Sequence, residues 1–126
     1  MDVTRRMNTT RPNPADTLLE ELLANPEVKE TVGDMVGERS FRVGGREFLH
    51  VHGKSVLHIA LTREQKAAAL AAGEARVHPY SPNSGAVELH LRSPDQLPVA
   101  RRLVQLAFAR AAATARRYAP VPGEAR

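Results

Sequence analysis

Two histidines, His50 and His52, stand within the segment Gly45-Arg46-Glu47-Phe48-Leu49-His50-Val51-His52-Gly53. The segment reads as a β-strand. Side chains of a strand alternate between faces, so the two imidazoles must share one face. A neutral imidazole accepts a hydrogen bond at one nitrogen and donates at the other, and it titrates near physiological pH. Such a pair suits a binding or catalytic site, or metal binding. It equally suits two hydrogen-bonded residues at the edge of a core. A metal would need a third ligand. His78, at the end of a later strand, is placed to supply one if that strand lies nearby, whereas strand parity puts Glu47 on the opposite face. The His-x-His spacing also occurs in cupin metal motifs, but these want a glutamate shortly downstream. Gly53-Lys54-Ser55-Val56-Leu57 offers none, so no bound metal and no cofactor are expected.

Other chemistries find less support. The chain has no cysteine, which removes disulfides, thiolate nucleophiles and Cys-based zinc sites together. Ser55 and Ser84 lack a nucleophile elbow. Gly33, Gly37, Gly44 and Gly45 form neither a phosphate loop nor a dinucleotide fingerprint. His58, Glu88 and His90 are read as a solvated polar set on the second face of the sheet. The net charge of +4 comes from arginine far more than lysine, which is confined to Lys29, Lys54 and Lys66. Arginine-rich codon usage explains this as well as a polyanionic partner does. With Phe41, Phe48, Tyr80, Phe108 and Tyr118 the only aromatics, no base-stacking platform is evident, so the outward arginines read as a solvated helix face rather than a nucleic-acid site. No apolar run approaches the ~20 residues of a membrane span, and no leader follows Met1. A cytoplasmic protein without membrane contact is the expectation.

The elements that must position these residues follow from local signals. Residues 1–13 are expected to be a mobile tail, 14–118 a single domain, and 119–126 a frayed tail. Asn13-Pro14 reads as a cap and first helical position, with Leu18, Leu19, Leu22 and Leu23 on one face and Asn25-Pro26 as the stop. Residues 27–38 read as a connector or an edge strand. Strands are predicted over 40–43, 46–52 and 55–61, joined by tight turns at Gly44-Gly45 and Gly53-Lys54. Thr62-Arg63-Glu64-Gln65 is a capping box opening a helix to about Ala72. Strands over 74–78 and 86–92 flank a Pro- and Ser-rich loop. Ser93-Pro94-Asp95-Gln96 is a second capping box before a helix from about Leu97 to Tyr118. That helix turns Leu103, Val104, Ala107 and Phe108 inward and Arg101, Arg102, Arg110, Arg116 and Arg117 mostly outward. The fold class is α+β: a mainly antiparallel sheet with a three-strand meander, and helices packed on one face.

Two-residue turns would pair Phe41 with Phe48, Arg42 with Glu47, His50 with Leu57 and His52 with Ser55. One face then carries Phe41, Val43, Phe48, His50, His52, Leu57 and Ile59. The other carries Arg42, Glu47, Leu49, Val51, Val56, His58 and Ala60. The first is richer in large apolar groups, which places His50 and His52 at the polar end of the helix-covered face. A single bulge would invert part of this assignment.

Gly45-Arg46-Glu47, His50-x-His52-Gly53, Gly73, His78, Ser84-Gly85 and Ser93-x-Asp95 together resemble the luciferase-like domain family over roughly residues 16–112. That family contains the fungal luciferases and many small bacterial proteins. Ala86 and His58 differ from the aromatic and acidic residues common at those places. For the fungal members the resemblance implies oxidation of a polyphenol-like pyrone by molecular oxygen, without a dedicated metal or flavin. Carried over, it makes His50, His52 and His78 candidates for a general base and for oxyanion donors, with Glu47 orienting a histidine or anchoring Arg42. The function expected is that of a small-molecule-binding protein, or a cofactor-independent oxygenase or proton-transfer enzyme, acting on an aromatic or enolisable substrate. The alternative is a non-catalytic interaction module, binding nucleic acid through the arginine-rich helix face.

Overall fold

Among the described residues every neighbouring pair of strands is antiparallel, and six strands form one sheet. A computed structural model describes residues 13–118; both tails expected from the sequence lie outside that range, apart from Asn13. In chain order the elements are α1 (Pro14–Leu23), β1 (Val28–Val32), β2 (Glu38–Val43), β3 (Arg46–His52), β4 (Val56–Ala60), α2 (Arg63–Ala71), β5 (Arg76–Val77), β6 (Ala86–His90), a 3₁₀ turn (Pro94–Gln96) and α3 (Leu97–Arg117). The strand order is β1-β2-β3-β4-β6-β5. Residues 28–32 settle as an edge strand, which extends the expected three-strand meander to four.

The helix starts are those the capping residues specify. The Asn13 side chain accepts from the Ala15 N–H ahead of Pro14. Thr62 and Gln65 satisfy each other's backbone N–H groups, and Ser93 and Gln96 do the same at the 3₁₀ turn. The helices cover one face of the sheet. α3 lies across β3, β2 and β4, α1 packs against β1 and α3, and α2 contributes Ala69 to the same core. Phe41, Phe48, Leu49, Leu57, Ile59 and Leu103 are fully buried there. Each such side chain contributes about 1.5–3 kcal/mol relative to an exposed position.

The register departs from simple alternation at two places, and both decide the site. Around Gly44-Gly45 the expected pairs form, Val43 with Arg46 and Arg42 with Glu47, but the next pair is Phe41 with Leu49. Phe48 is therefore the extra residue of a β-bulge. Phe48 and Leu49 are adjacent, large and apolar, and both are buried at 1 % exposure. Strict alternation would leave one of them in water. The bulge turns both towards the helices, where the Phe48 ring meets Phe108 edge to face at 5.6 Å. The second departure is the β3–β4 connection. It spans Gly53, Lys54 and Ser55, so His52 pairs with Val56 and His50 with His58. Gly53 opens it at a φ of 59°, a left-handed conformation that favours glycine.

These shifts correct the expected faces. His50 and His52 do share a face, but it is the one opposite the helices. Glu47 and His58, assigned away from the two histidines, lie on the same face as both. Leu49 and Val51, assigned outward, are core residues.

Candidate active site

The face turned away from the helices carries rows of polar side chains running across the strands. Glu38 pairs with His52, His52 with Val56, and Val56 with His90. In the next row Ser40 pairs with His50, His50 with His58, and His58 with Glu88. Beyond it stand Arg42, Glu47 and the small pair Ala60–Ala86. His78 follows β5, and its ring lies tilted against His58 with centroids 4.1 Å apart. All five histidines of the chain thus gather on one face. The rings of His52 and His58 are 4.6 Å apart, and those of His50 and His58 6.1 Å.

Three glutamates order the rings. His50 donates from Nε2 to Glu47 Oε1 at 2.8 Å, and Glu47 also accepts from the Ser40 hydroxyl. His58 donates from Nε2 to Glu88 Oε2 at 2.9 Å, while His90 donates to the other oxygen of Glu88 at 3.0 Å. Glu38 is 8 % exposed; its Oε1 accepts from the Asp34 N–H at 2.8 Å. Its Oε2 lies 3.1 Å from His52 Nε2 and 3.4 Å from His50 Nδ1. Gly33 makes room for this carboxylate, since a Cβ there would collide with the Glu38 side chain. With Nε2–H given to a carboxylate, a neutral ring of His50 or His58 carries its lone pair on Nδ1. Both Nδ1 atoms are buried and lack a hydrogen-bond partner among the described residues. A buried polar atom without a partner costs about 1–3 kcal/mol, so it calls for a functional explanation.

The charges around the site shift several groups. Burial would raise Glu38, but the Asp34 N–H and the His50 and His52 rings outweigh it and hold its carboxyl below the usual range. Burial acts on Glu88 in the same sense and is outweighed by its hydrogen bonds from His58 and His90. His52 and His78 are both pushed down, first by burial and then by the neighbouring His58. Neutral imidazoles are thus favoured at these two positions.

Loop 79–85 closes one side of the site. His78 Nδ1 accepts from the backbone N–H groups of Tyr80 and Ser81 at 3.0 and 3.1 Å, so the neutral ring keeps its proton on Nε2. Lys66 of α2 donates to the carbonyls of Pro82 and Ser84, which ties the loop to the helix layer. A cavity of about 200 Å³ lies here, lined by Glu47, His50, His58, His78 and Ser81, with Ala60 and Ala86 beside them. The alanine pair leaves the space that larger side chains would fill. A second cavity of about 570 Å³, between residues 44–48 and α3, is lined by Glu47, Ala60, Arg110 and Thr114 among others.

The structure therefore brings together all four site residues expected from the sequence, His50, His52, His78 and Glu47. Sequence reasoning missed Glu38 and Ser40, and set His58 and Glu88 aside as solvated. The adjacency of Phe48 and Leu49 was the available signal, because two neighbouring core residues force a bulge and return Glu47 to the histidine face. Three imidazoles, those of His50, His52 and His58, can each offer a nitrogen within 4.8 Å of the others, a spacing fit for one metal ion. On the helix side, Arg101 pairs with Glu21 through two bonds of 2.8 Å, and Arg102 pairs with Glu74. Among the described residues no helix is long and apolar enough to cross a membrane.

Fold and site define a single-sheet α+β domain, helices on one face and a histidine–glutamate array on the other. A family model described as Luciferase domain matches residues 45–107, half of the 126-residue chain. The chain belongs to this luciferase domain family. The match runs from β3 into α3 and includes Glu47, His50, His52, His58, His78 and Glu88; Glu38 lies just before it. Searches of curated proteins and of solved structures returned no match.

Proposed function

We propose that the histidine face binds a small hydroxylated aromatic or enolisable molecule and promotes its proton transfer and reaction with molecular oxygen. The observation that carries this reading is the pair of buried, unpartnered Nδ1 atoms on His50 and His58, each ring held through Nε2 by a glutamate. A substrate hydroxyl beside such a nitrogen finds an acceptor already oriented and already desolvated. A proton taken onto the ring creates an imidazolium, which Glu47 or Glu88 stabilises across the opposite edge. His78, with its proton on Nε2, is the natural donor to the oxyanion left behind. The enolate so formed is electron-rich enough to react with oxygen. The cavity of about 200 Å³ holds one ring of such a molecule.

The test is calorimetric titration of metal-free protein with a catechol-bearing hydroxypyrone, together with oxygen uptake on mixing. Binding is expected for the native chain and a loss of at least tenfold for the His50→Ala/His52→Ala double variant. Unchanged binding by a folded double variant would remove the site from this role.

A further inference from the structure

We infer that the corner of the sheet formed by Glu38, His50, His52 and His58 is a binding site for one divalent transition-metal ion. Three independent features converge on it. First, three imidazoles offer nitrogens within 4.8 Å of one another. Second, Glu38 Oε2 sits 3.1 Å from His52 Nε2 and 3.4 Å from His50 Nδ1. Donor atoms bound at roughly 2.0–2.2 Å around one tetrahedral ion stand a little over 3 Å apart, so this oxygen is spaced to share an ion with His52 and His50. Third, His58 is 6 % exposed and its Nδ1 has no hydrogen-bond partner among the described residues.

The surrounding groups are those that a metal site uses for support. A ligating histidine ordinarily donates its other ring N–H to a carboxylate, which fixes the tautomer and makes the free nitrogen a better donor. His50 does this with Glu47 and His58 with Glu88. The glutamates are themselves held: Glu47 by Ser40, Glu88 by His90, and Glu38 Oε1 by the Asp34 N–H. Three imidazoles and one carboxylate favour zinc, iron, cobalt, nickel or copper over magnesium or calcium, which prefer all-oxygen shells. Glu47, excluded from the ligand set by the parity of a regular strand, enters instead as a supporting carboxylate. The Nδ1 lone pairs that accept a substrate proton in the proposed function are the ones an ion would take, so the two uses of His50 and His58 exclude each other. The metal site itself does not rest on that reading.

The experiment is titration of chelator-treated protein with Co²⁺ and with Zn²⁺. It is followed by calorimetry and by the visible absorption of Co²⁺, which reports coordination number. One equivalent should bind, with a spectrum of four- or five-coordinate cobalt. His52→Ala and Glu38→Gln, both of ligands, should abolish the spectrum, whereas Glu47→Gln should weaken binding by about 10–100-fold. Arg101→Gln, on the helix side of the sheet, should keep it. Circular dichroism of each variant separates loss of binding from loss of fold, and His52, the more exposed ring, keeps the test open if His58→Ala does not fold. No saturable binding, an octahedral hexa-aquo spectrum, or equal affinity in His52→Ala and Glu38→Gln would overturn the inference. Hydroxypyrone binding by chelator-treated protein, measured separately, shows whether the proposed function fails or stands independently of the metal.

Discussion

The bulge at Phe48 is the structural decision on which the site depends, and paired truncations test it. In a regular strand Phe48 would face the core and Leu49 would face outward. Phe48→Ala would then cost several kcal/mol, and Leu49→Ala no more than the ±0.5 kcal/mol or so of a surface change. In the observed structure both side chains are 1 % exposed. Leu49→Ala is therefore expected to cost about 2–5 kcal/mol, and Phe48→Ala about 3–5 kcal/mol, since it also loses the edge-to-face contact with Phe108. Against a total stability of roughly 5–15 kcal/mol, either change removes a large fraction. The assay is urea denaturation, reading a fall in midpoint with the slope unchanged. A Leu49→Ala cost below about 1 kcal/mol would refute the bulge. His50 and His52 would then return to the helix side, away from Glu47, and the bond between Glu47 and His50 would be lost.

Further outcomes follow from the same geometry. Glu88→Ala leaves the buried His58 Nε2 without its acceptor and should cost about 1–3 kcal/mol in denaturant unfolding, whereas His90→Gln should cost less. In chelator-treated protein, stability should fall as pH drops. His52 and His78 lie below their usual 6.5 in the fold, so the unfolded chain takes up their protons first and destabilisation begins as pH passes below that value. Glu38 and Glu88 lie below 4.5 in the fold, so their stabilisation, present above 4.5, is lost as pH falls further. Thermal melts across pH 3–8 read both, and a flat profile below pH 6.5 would contradict the burial of these rings. Gly85→Ala would drive a Cβ into the backbone carbonyl of Leu61, which cannot step aside, and should cost about 1–3 kcal/mol in thermal melts.

Much of this fold was legible because its signals are local. Asn13-Pro14, the capping boxes at Thr62 and Ser93, and Gly44-Gly45 each satisfy backbone groups within a few residues, and all four stand where the sequence placed them. The faces were harder to read. Period-two counting fails silently at an insertion, and one extra residue at Phe48 together with a three-residue link at Ser55 moved the histidines to the opposite side of the sheet. His50, His52 and His78 were named as site candidates, with their convergence left open. The role of Glu38 was not, because it depends on pairing across β2 and β3 and on the space that Gly33 leaves. His58 and Glu88 looked like surface residues for the same reason: their row was assigned to the wrong partner strand positions.

The claim at the centre of this account is that the histidine–glutamate face is where the protein meets its ligand. The most direct measurement is a titration of metal-free protein with a catechol-bearing hydroxypyrone, followed through the imidazole ring resonances by NMR. With only five histidines, each ring can be assigned by single substitution. The account predicts saturable shifts concentrated on His50, His58 and His78, with His90 moving least. Shifts confined to residues along α3, or no saturable change at any ring, would contradict it.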